Sequence, residues 1–270
     1  MQPPSIPSRR ESFRRIVLAV AGETYACRAP PPPLSIEPMS DKPPILVFDL
    51  DGTLADTAGD LVGTLNWILA GEGLAPLPLA SARKLIGAGA RTLITRGFAA
   101  GGRELSPDRL QSLFQAFIDR YEAHIADETR LFPGVEAALD RFAATGFALA
   151  VCTNKLERLS RLLLERLAVD RRFQAICGQD TFGVAKPDPR IFRGTIARAG
   201  GDPKRATMIG DSAADVATAR AAGAPVIAVD FGYCELPAAE LGADRLVSHF
   251  DELWGAVAAL AAEPANGPSP

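Results

Sequence analysis

Short runs of consecutive apolar residues alternate along this chain with longer stretches in which apolar residues return every three or four positions. The runs are Ile45 to Phe48, Phe147 to Cys152, Ala175 to Cys177, Thr207 to Ile209 and Val226 to Val229. Unbroken apolar runs of strand length suit strands covered on both faces, as in a parallel sheet. Leu156, Leu159, Leu163 and Leu167 carry the helical spacing between two of these runs. Another helix is predicted to open at Pro133, with Val135, Leu139, Phe142 and Ala143 on one face and Gly146 at its end. This alternation predicts an α/β protein with a doubly wound parallel sheet. The interval between the first run and Phe132 shows no strand pattern. Leu61, Leu65 and Leu69 mark one helix there, and Leu110, Leu113, Phe114, Phe117, Tyr121 and Ile125 mark another. A helical insertion of about 70 residues is expected, enough for a small domain. It follows the first strand directly, so it should overhang the carboxyl end of the sheet, where open α/β sheets bind their ligands.

The predicted organisation is a core formed by residues 43–56 and 131–262, an inserted helical domain at 57–130, and terminal segments 1–42 and 263–270 outside the fold. The run from Ser8 to Arg15 followed by Ile16 to Ala21 resembles an export signal only weakly, because the apolar segment is short and no small-residue cleavage site follows. Pro30 to Pro33 cannot donate backbone hydrogen bonds and should stay extended. Met39 precedes the first strand as a natural start would, so residues 1–38 read as an upstream extension or a misassigned start.

Composition narrows the class. In 270 residues, 47% are hydrophobic and the net charge is −3. The chain can bury a full core, and it offers no basic field for nucleic acid. No apolar run approaches the ~20 residues needed to span a bilayer, so no membrane association is expected. Cys27, Cys152, Cys177 and Cys234 have no paired spacing, which points to a reducing compartment and a cytoplasmic location. His124 and His249 lie too far apart for a zinc motif and are read as helix-edge surface residues.

Candidate chemistry gathers at the strand ends. Asp49-Leu50-Asp51-Gly52-Thr53 follows the first strand, so both carboxylates point to one side and Gly52 permits a sharp turn. One carboxylate could attack an electrophile while the other moves protons, given a cation to relieve their repulsion. Alone, the segment is equally an acidic turn. The second strand ends in Cys152-Thr153-Asn154-Lys155, where a hydroxyl and an amide could bind phosphate or cap a helix. Lys186, in Gly183-Val184-Ala185-Lys186-Pro187, could meet a phosphoryl oxygen or stand in solvent. Gly210-Asp211-Ser212-Ala213-Ala214-Asp215 offers two acids four apart at a strand-to-helix turn, suited to a magnesium ligand and its support, or to helix capping.

Taken in order, DLDGT, Thr153, Lys186 and GDSAAD resemble the haloacid dehalogenase superfamily of phosphohydrolases over nearly all of Ile45 to about Leu260, with an insertion similar to its type 1 cap. The resemblance implies Asp49 as nucleophile, Asp51 as general acid and base, and Lys186 as the neutralising cation. It implies phosphate contacts from Thr153 and Asn154. It also implies Mg2+ on the Asp49 carboxylate, the Asp51 backbone carbonyl and Asp211, with Asp215 behind. The substrate class is a small phosphorylated metabolite, and the oligomeric state is left open. Asp51 favours phosphoryl transfer over dehalogenation, which needs no acid. The segments from Asp56 to Leu61 and from Lys84 to Arg91 resemble the cap of phosphoglycolate phosphatases and lack the early cap histidine of sugar phosphomutases. In related phosphonate hydrolases a cap lysine forms a Schiff base, and Lys84 is the cap's sole lysine. Gly87 and Gly89 would let the cap loop approach, and Arg91 with Lys84 could read a substrate carboxylate or lie on a solvated helix face. Asp56 and Asp60 are read as helix-start residues, and Phe231-Gly232-Tyr233 as a structural turn. Competing readings are a phosphatase for a sugar phosphate, pyrophosphate or nucleotide, a mutase, and a non-catalytic binding module.

Overall fold

The computed structural model describes residues 41–234 and 236–262. Of the terminal segments assigned from sequence to residues 1–42 and 263–270, residues 1–40, including Cys27 and the proline run, and residues 263–270 lie outside the described residues.

In chain order the elements are β1 (Ile45–Phe48), β2 (Ala55–Asp56), α1 (Ala58–Gly71), α2 (Leu79–Ala82), α3 (Ala90–Ala100), α4 (Pro107–Ala123) and β3 (Arg130–Leu131). They continue with α5 (Val135–Ala144), β4 (Ala148–Cys152), α6 (Glu157–Arg166), β5 (Ala175–Cys177), α7 (Pro189–Ala199), β6 (Ala206–Gly210), α8 (Ala213–Ala222), β7 (Val226–Val229), β8 (Arg245–Val247) and α9 (Leu253–Ala262). Six strands form one parallel sheet in the order β5-β4-β1-β6-β7-β8. The order reverses at β1, the first strand, so the switch point falls between β4 and β6 where the acidic motifs were expected.

Every residue of β1, β4, β6 and β7 is buried. Alternation along β1 splits the core in two. Ile45 and Val47 pack with Ala148, Ala150, Ile191, Phe192, Ile196 and Ala219, so α7 and α8 cover that face. Leu46 and Phe48 pack on the other face with Leu139, Phe142, Leu159, Leu163 and Leu253, so α5, α6 and α9 cover it. Burial on both faces explains why these strands appear as continuous apolar runs. The edge strand β8 escaped the sequence reading because it carries Arg245 and the exposed Leu246. An edge strand with one covered face gives no such run.

Helices α1 to α4 fill the interval after β1, with Leu65, Phe98, Leu113, Phe117 and Tyr121 among their buried residues. Gly97 permits close crossing of α3 over α1, since a Cβ there would lie 2.8 Å from Leu65 Cδ1. The chain enters and leaves this helical segment through β2 and β3, a two-residue antiparallel ribbon. Two residues are too few to show period-two patterning, which is why no strand was expected there. Asp60 ties the two crossings together. Its buried carboxylate accepts hydrogen bonds from the Glu128 amide, the Thr129 amide at 2.9 Å and the Thr129 hydroxyl at 2.6 Å. The residue read as a helix-start acid therefore also clamps the exit strand to α1.

Candidate active site

Four side chains from two strand ends, one helix turn and one loop converge beyond the carboxyl edge of β1 and β6. Asp49 follows β1, Asp211 follows β6, Asp215 lies in the first turn of α8, and Lys186 comes from the loop before α7. All four are buried. Ligand atoms of Asp49, Asp211 and Asp215 lie within 4.8 Å of one another. Lys186 Nζ stands 2.6 Å from Asp215 Oδ1 and 2.8 Å from Asp49 Oδ1. Its hydrogen bond goes to Asp215, while the approach to Asp49 is close but poorly aligned, so Asp49 Oδ1 receives no hydrogen bond. An anionic oxygen thus lies buried with an ionic neighbour but an unused lone pair.

Local structure fixes each group. The Asp49 amide donates to the Ile209 carbonyl at 2.9 Å, extending the β1–β6 ladder by one residue. Gly52 has φ +86°, and a Cβ there would meet Asp211 Oδ2 at 2.3 Å, so the turn and the close approach both require glycine. Asp211 accepts from the Tyr233 amide at 2.7 Å and from Thr53 Oγ1 at 3.3 Å. Asp215 forms a capping box with Ser212, taking hydrogen bonds on Oδ2 from the Ser212 amide and hydroxyl, while Oδ1 holds Lys186. Asp215 therefore caps α8 and holds Lys186 at once, where the sequence offered capping and support of a metal site as alternatives.

Three carboxylates face one ammonium, and the electrostatics reflect the imbalance. Burial holds the Asp49 carboxyl up at about 6, against the pull of Lys186 and helped by repulsion from Asp215 and Asp51. Burial, with repulsion from Asp49 and Asp215, lifts Asp211 well above the usual carboxylate range. Burial alone would lower Lys186, but attraction from Asp215 and Asp49 outweighs it and the ammonium is held firmly charged. Such a cluster, with an unused anionic oxygen, fits a hard divalent cation bound through oxygen.

Asp51 points elsewhere. Both of its oxygens lie 2.9 Å from Lys155 Nζ. Lys155 is itself buried, and the attraction of Asp51 overcomes the desolvation that would lower its basicity. The same ammonium stands 4.5 Å from the centroid of the Tyr121 ring, on α4. The sequence points to no role for Lys155, because nothing in the spacing links it to a residue 104 positions away. The available signal was a lysine in the same strand-end tetrad as Thr153 and Asn154.

Thr153 is buried beside this pair, and its Oγ1 accepts from the Lys155 amide at 3.2 Å. Asn154 spends its side chain on backbone groups: Oδ1 accepts from the Lys186 amide at 2.8 Å, and Nδ2 donates to the Lys186 and Gly87 carbonyls, each at 3.3 Å. It fastens the lysine loop and touches the helical segment's Gly87 loop. Both Gly87 and Gly89 have positive φ, but only at Gly89 would a Cβ meet a strand end, 3.2 Å from the Asn154 carbonyl; the space where Gly87 would carry one is open. Lys84 and Arg91 are not brought to the aspartates. Both are exposed. Arg91 donates to Gln111 and lies over the Phe114 ring at 4.1 Å, and neither residue lines the cavity enclosed between Asp49, Asp51, Thr153, Leu61, Leu93 and Phe117.

The turn at Phe231-Gly232-Tyr233 is more than a connection. While its amide holds Asp211, the Tyr233 hydroxyl accepts from the Thr57 and Ala58 amides at 2.6 and 3.0 Å and donates to Asp56 at 2.8 Å. One residue thereby joins the carboxylate cluster to the start of α1. The two histidines lie apart from the site: His124 pairs with Asp127 at the end of α4, and His249 accepts from the Asp251 amide. Among the described residues no helix is long and apolar enough to cross a membrane.

Comparison with known proteins supplies the class. Residues 46–229 match the family described as haloacid dehalogenase-like hydrolase, and the chain belongs to that family. Its relatives there are phosphatases, which makes it an enzyme of that type. A phosphoglycolate phosphatase of Caulobacter vibrioides is 50% identical over 205 residues, covering 76% of this chain and 86% of that protein. One from Mesorhizobium japonicum is 48% identical, covering 78% of this chain and 92% of that protein. The crystal structure of a predicted phosphoglycolate phosphatase from Haemophilus somnus 129PT superposes with a TM-score of 0.74 at 28% identity, covering 79% and 97% of the two chains. CbbY from Rhodobacter sphaeroides, solved in complex with phosphate, superposes with a TM-score of 0.64 at 26% identity, covering 77% and 95%.

Proposed function

We propose that this enzyme hydrolyses 2-phosphoglycolate to glycolate and phosphate through an aspartyl-phosphate on Asp49, with Mg2+ as cofactor. The observation that carries the reading is the Asp49 carboxylate: buried, ionically paired with Lys186, and left with an oxygen that no donor occupies. Asp49 attacks phosphorus as the ester P–O bond breaks, and Asp51 gives its proton to the departing glycolate oxygen. A water then attacks the phosphorus, Asp51 takes its proton, and the acyl-phosphate bond breaks to restore Asp49 and release phosphate. Thr153 and Lys186 steady the transferring oxygens. Lys186 lessens the repulsion between an anionic nucleophile and an anionic ester. Asp49, the Asp51 carbonyl and Asp211 would hold the magnesium ion, with Asp215 orienting Lys186 beside them. The ion would supply Lewis-acid neutralisation of phosphoryl charge.

The helical segment 57–130 is proposed as the cap that covers the leaving group, with the β2–β3 ribbon as its hinge. The choice of 2-phosphoglycolate rests on the relatives at 48 and 50% identity. The unpaired thiols of Cys152 and Cys177 suit a reducing compartment, and the cytoplasm is the proposed location. Phosphate release from 2-phosphoglycolate, sugar phosphates, pyrophosphate and nucleotides, with Mg2+ and with chelator, tests the reading. The expected result is magnesium-dependent turnover highest on 2-phosphoglycolate. Equal or better turnover of another ester would overturn the substrate, and undiminished turnover under chelation would overturn the cofactor.

A further inference from the structure

Besides Asp49 Oδ1, the cavity beneath the helical segment contains one buried side-chain oxygen that finds no hydrogen-bond partner among the described residues. Tyr121 is 1% exposed, lines the cavity that also holds Asp51 and Thr153, and its hydroxyl makes no hydrogen bond. A buried hydroxyl without a partner is costly, on the order of 1–3 kcal/mol, and a phenylalanine would fill the same space at no such cost. Stability therefore does not explain the oxygen. Burial pushes the phenol up to about 12, against the pull of the neighbouring Lys155 ammonium, so it keeps its proton across the neutral range and has that proton to donate.

Lys155 stands beside that hydroxyl. It presents two N–H groups to the Asp51 oxygens, and an ammonium has three. The third is not consumed by Asp51, on an ammonium that lies against the Tyr121 ring. Around the two donors the wall is apolar, formed by Leu61, Leu93, Phe117 and Ile118. A hydroxyl donor and a cationic donor converging in an apolar pocket match a small carboxylate on a short carbon skeleton. Arg91 and Lys84, the residues whose sequence context suggests that contact, lie outside the cavity.

We infer that Tyr121 and Lys155 form the carboxylate-recognition subsite of the leaving group, Tyr121 through its hydroxyl and Lys155 through the N–H not engaged by Asp51. The inference rests on the proposed hydrolysis of 2-phosphoglycolate and deepens it. A phosphate ester with the same two carbons but no carboxylate leaves the Tyr121 hydroxyl unpaired, so selectivity arises from the buried donor as well as from the attractive contact.

The test compares kcat/KM for 2-phosphoglycolate with that for ethyl phosphate in the wild type, Tyr121→Phe and Lys155→Met, together with the inhibition constant of glycolate. Tyr121→Phe should lower the selectivity ratio by roughly 10- to 100-fold, the loss of a hydrogen bond to a charged group, and weaken glycolate inhibition by a similar factor. Lys155→Met should lower the same ratio. Thermal unfolding of Tyr121→Phe should match or exceed the wild type, since no hydrogen bond of the protein is removed. A wild type with no preference for the carboxylate-bearing ester would overturn the substrate reading and the subsite with it. A wild-type preference that Tyr121→Phe keeps within about threefold would overturn the subsite alone.

Discussion

The two sides of the cavity are built from different material. On the sheet side, Asp49, Asp211, Asp215 and Lys186 are charged, mutually within contact distance, and fixed by strand ends and a capping box. On the helical side, Leu61, Leu93, Phe117 and Tyr121 are an apolar wall, with a single hydroxyl among them. The sheet side concentrates charge that needs a counterion, and the helical side excludes water. The proposed function thus assigns chemistry to the edge of the sheet and selection to the face of a helical segment joined to it by a two-residue ribbon.

The largest expected effect breaks the charged side. Lys186→Met leaves Asp49 and Asp215 buried without a cation, and the metal-free protein should lose about 3–5 kcal/mol in urea unfolding, with turnover abolished. A loss below about 1 kcal/mol would mean that protons, not Lys186, neutralise the cluster. The counterion can be examined separately. Adding Mg2+ at about 100 times its Kd should stabilise the wild type by roughly 2.7 kcal/mol, read as a rise in Tm. Asp211→Asn should abolish that rise while Tyr121→Phe retains it. A full rise in Asp211→Asn would remove Asp211 from the metal site. The smallest effect concerns the outer face of the helical segment. Arg91→Ala should change stability by no more than about 0.5 kcal/mol and kcat/KM by less than about threefold, because the guanidinium sits on Gln111 and Phe114 in solvent. A tenfold loss would return substrate recognition to Arg91.

The same contrast explains what the sequence made legible. Asp49, Thr153 and Asp211 each directly follow a strand, and strands buried on both faces announce themselves as apolar runs, so their ends can be located. Tyr121 could be read only as one more position of an apolar helix stripe, since its period is identical to that of Phe117 and Leu113. Lys155 was hidden for a different reason: its partner Asp51 is adjacent only through the β1–β4 pairing, which brings residues about a hundred apart into register. Asn154 showed its type and not its use, because whether an amide binds phosphate or backbone depends on where the Lys186 loop returns. Tyr233 combines both limits, a structural turn by sequence whose amide and hydroxyl link the acidic cluster to the start of α1.

The central claim is that Asp49 is the nucleophile of a magnesium-dependent phosphatase. Its most direct test is phosphate release from 2-phosphoglycolate by Asp49→Asn with saturating Mg2+, alongside circular dichroism to verify folding. The account predicts a folded protein whose kcat falls by on the order of 10⁴-fold or more. Turnover within tenfold of the wild type would contradict it.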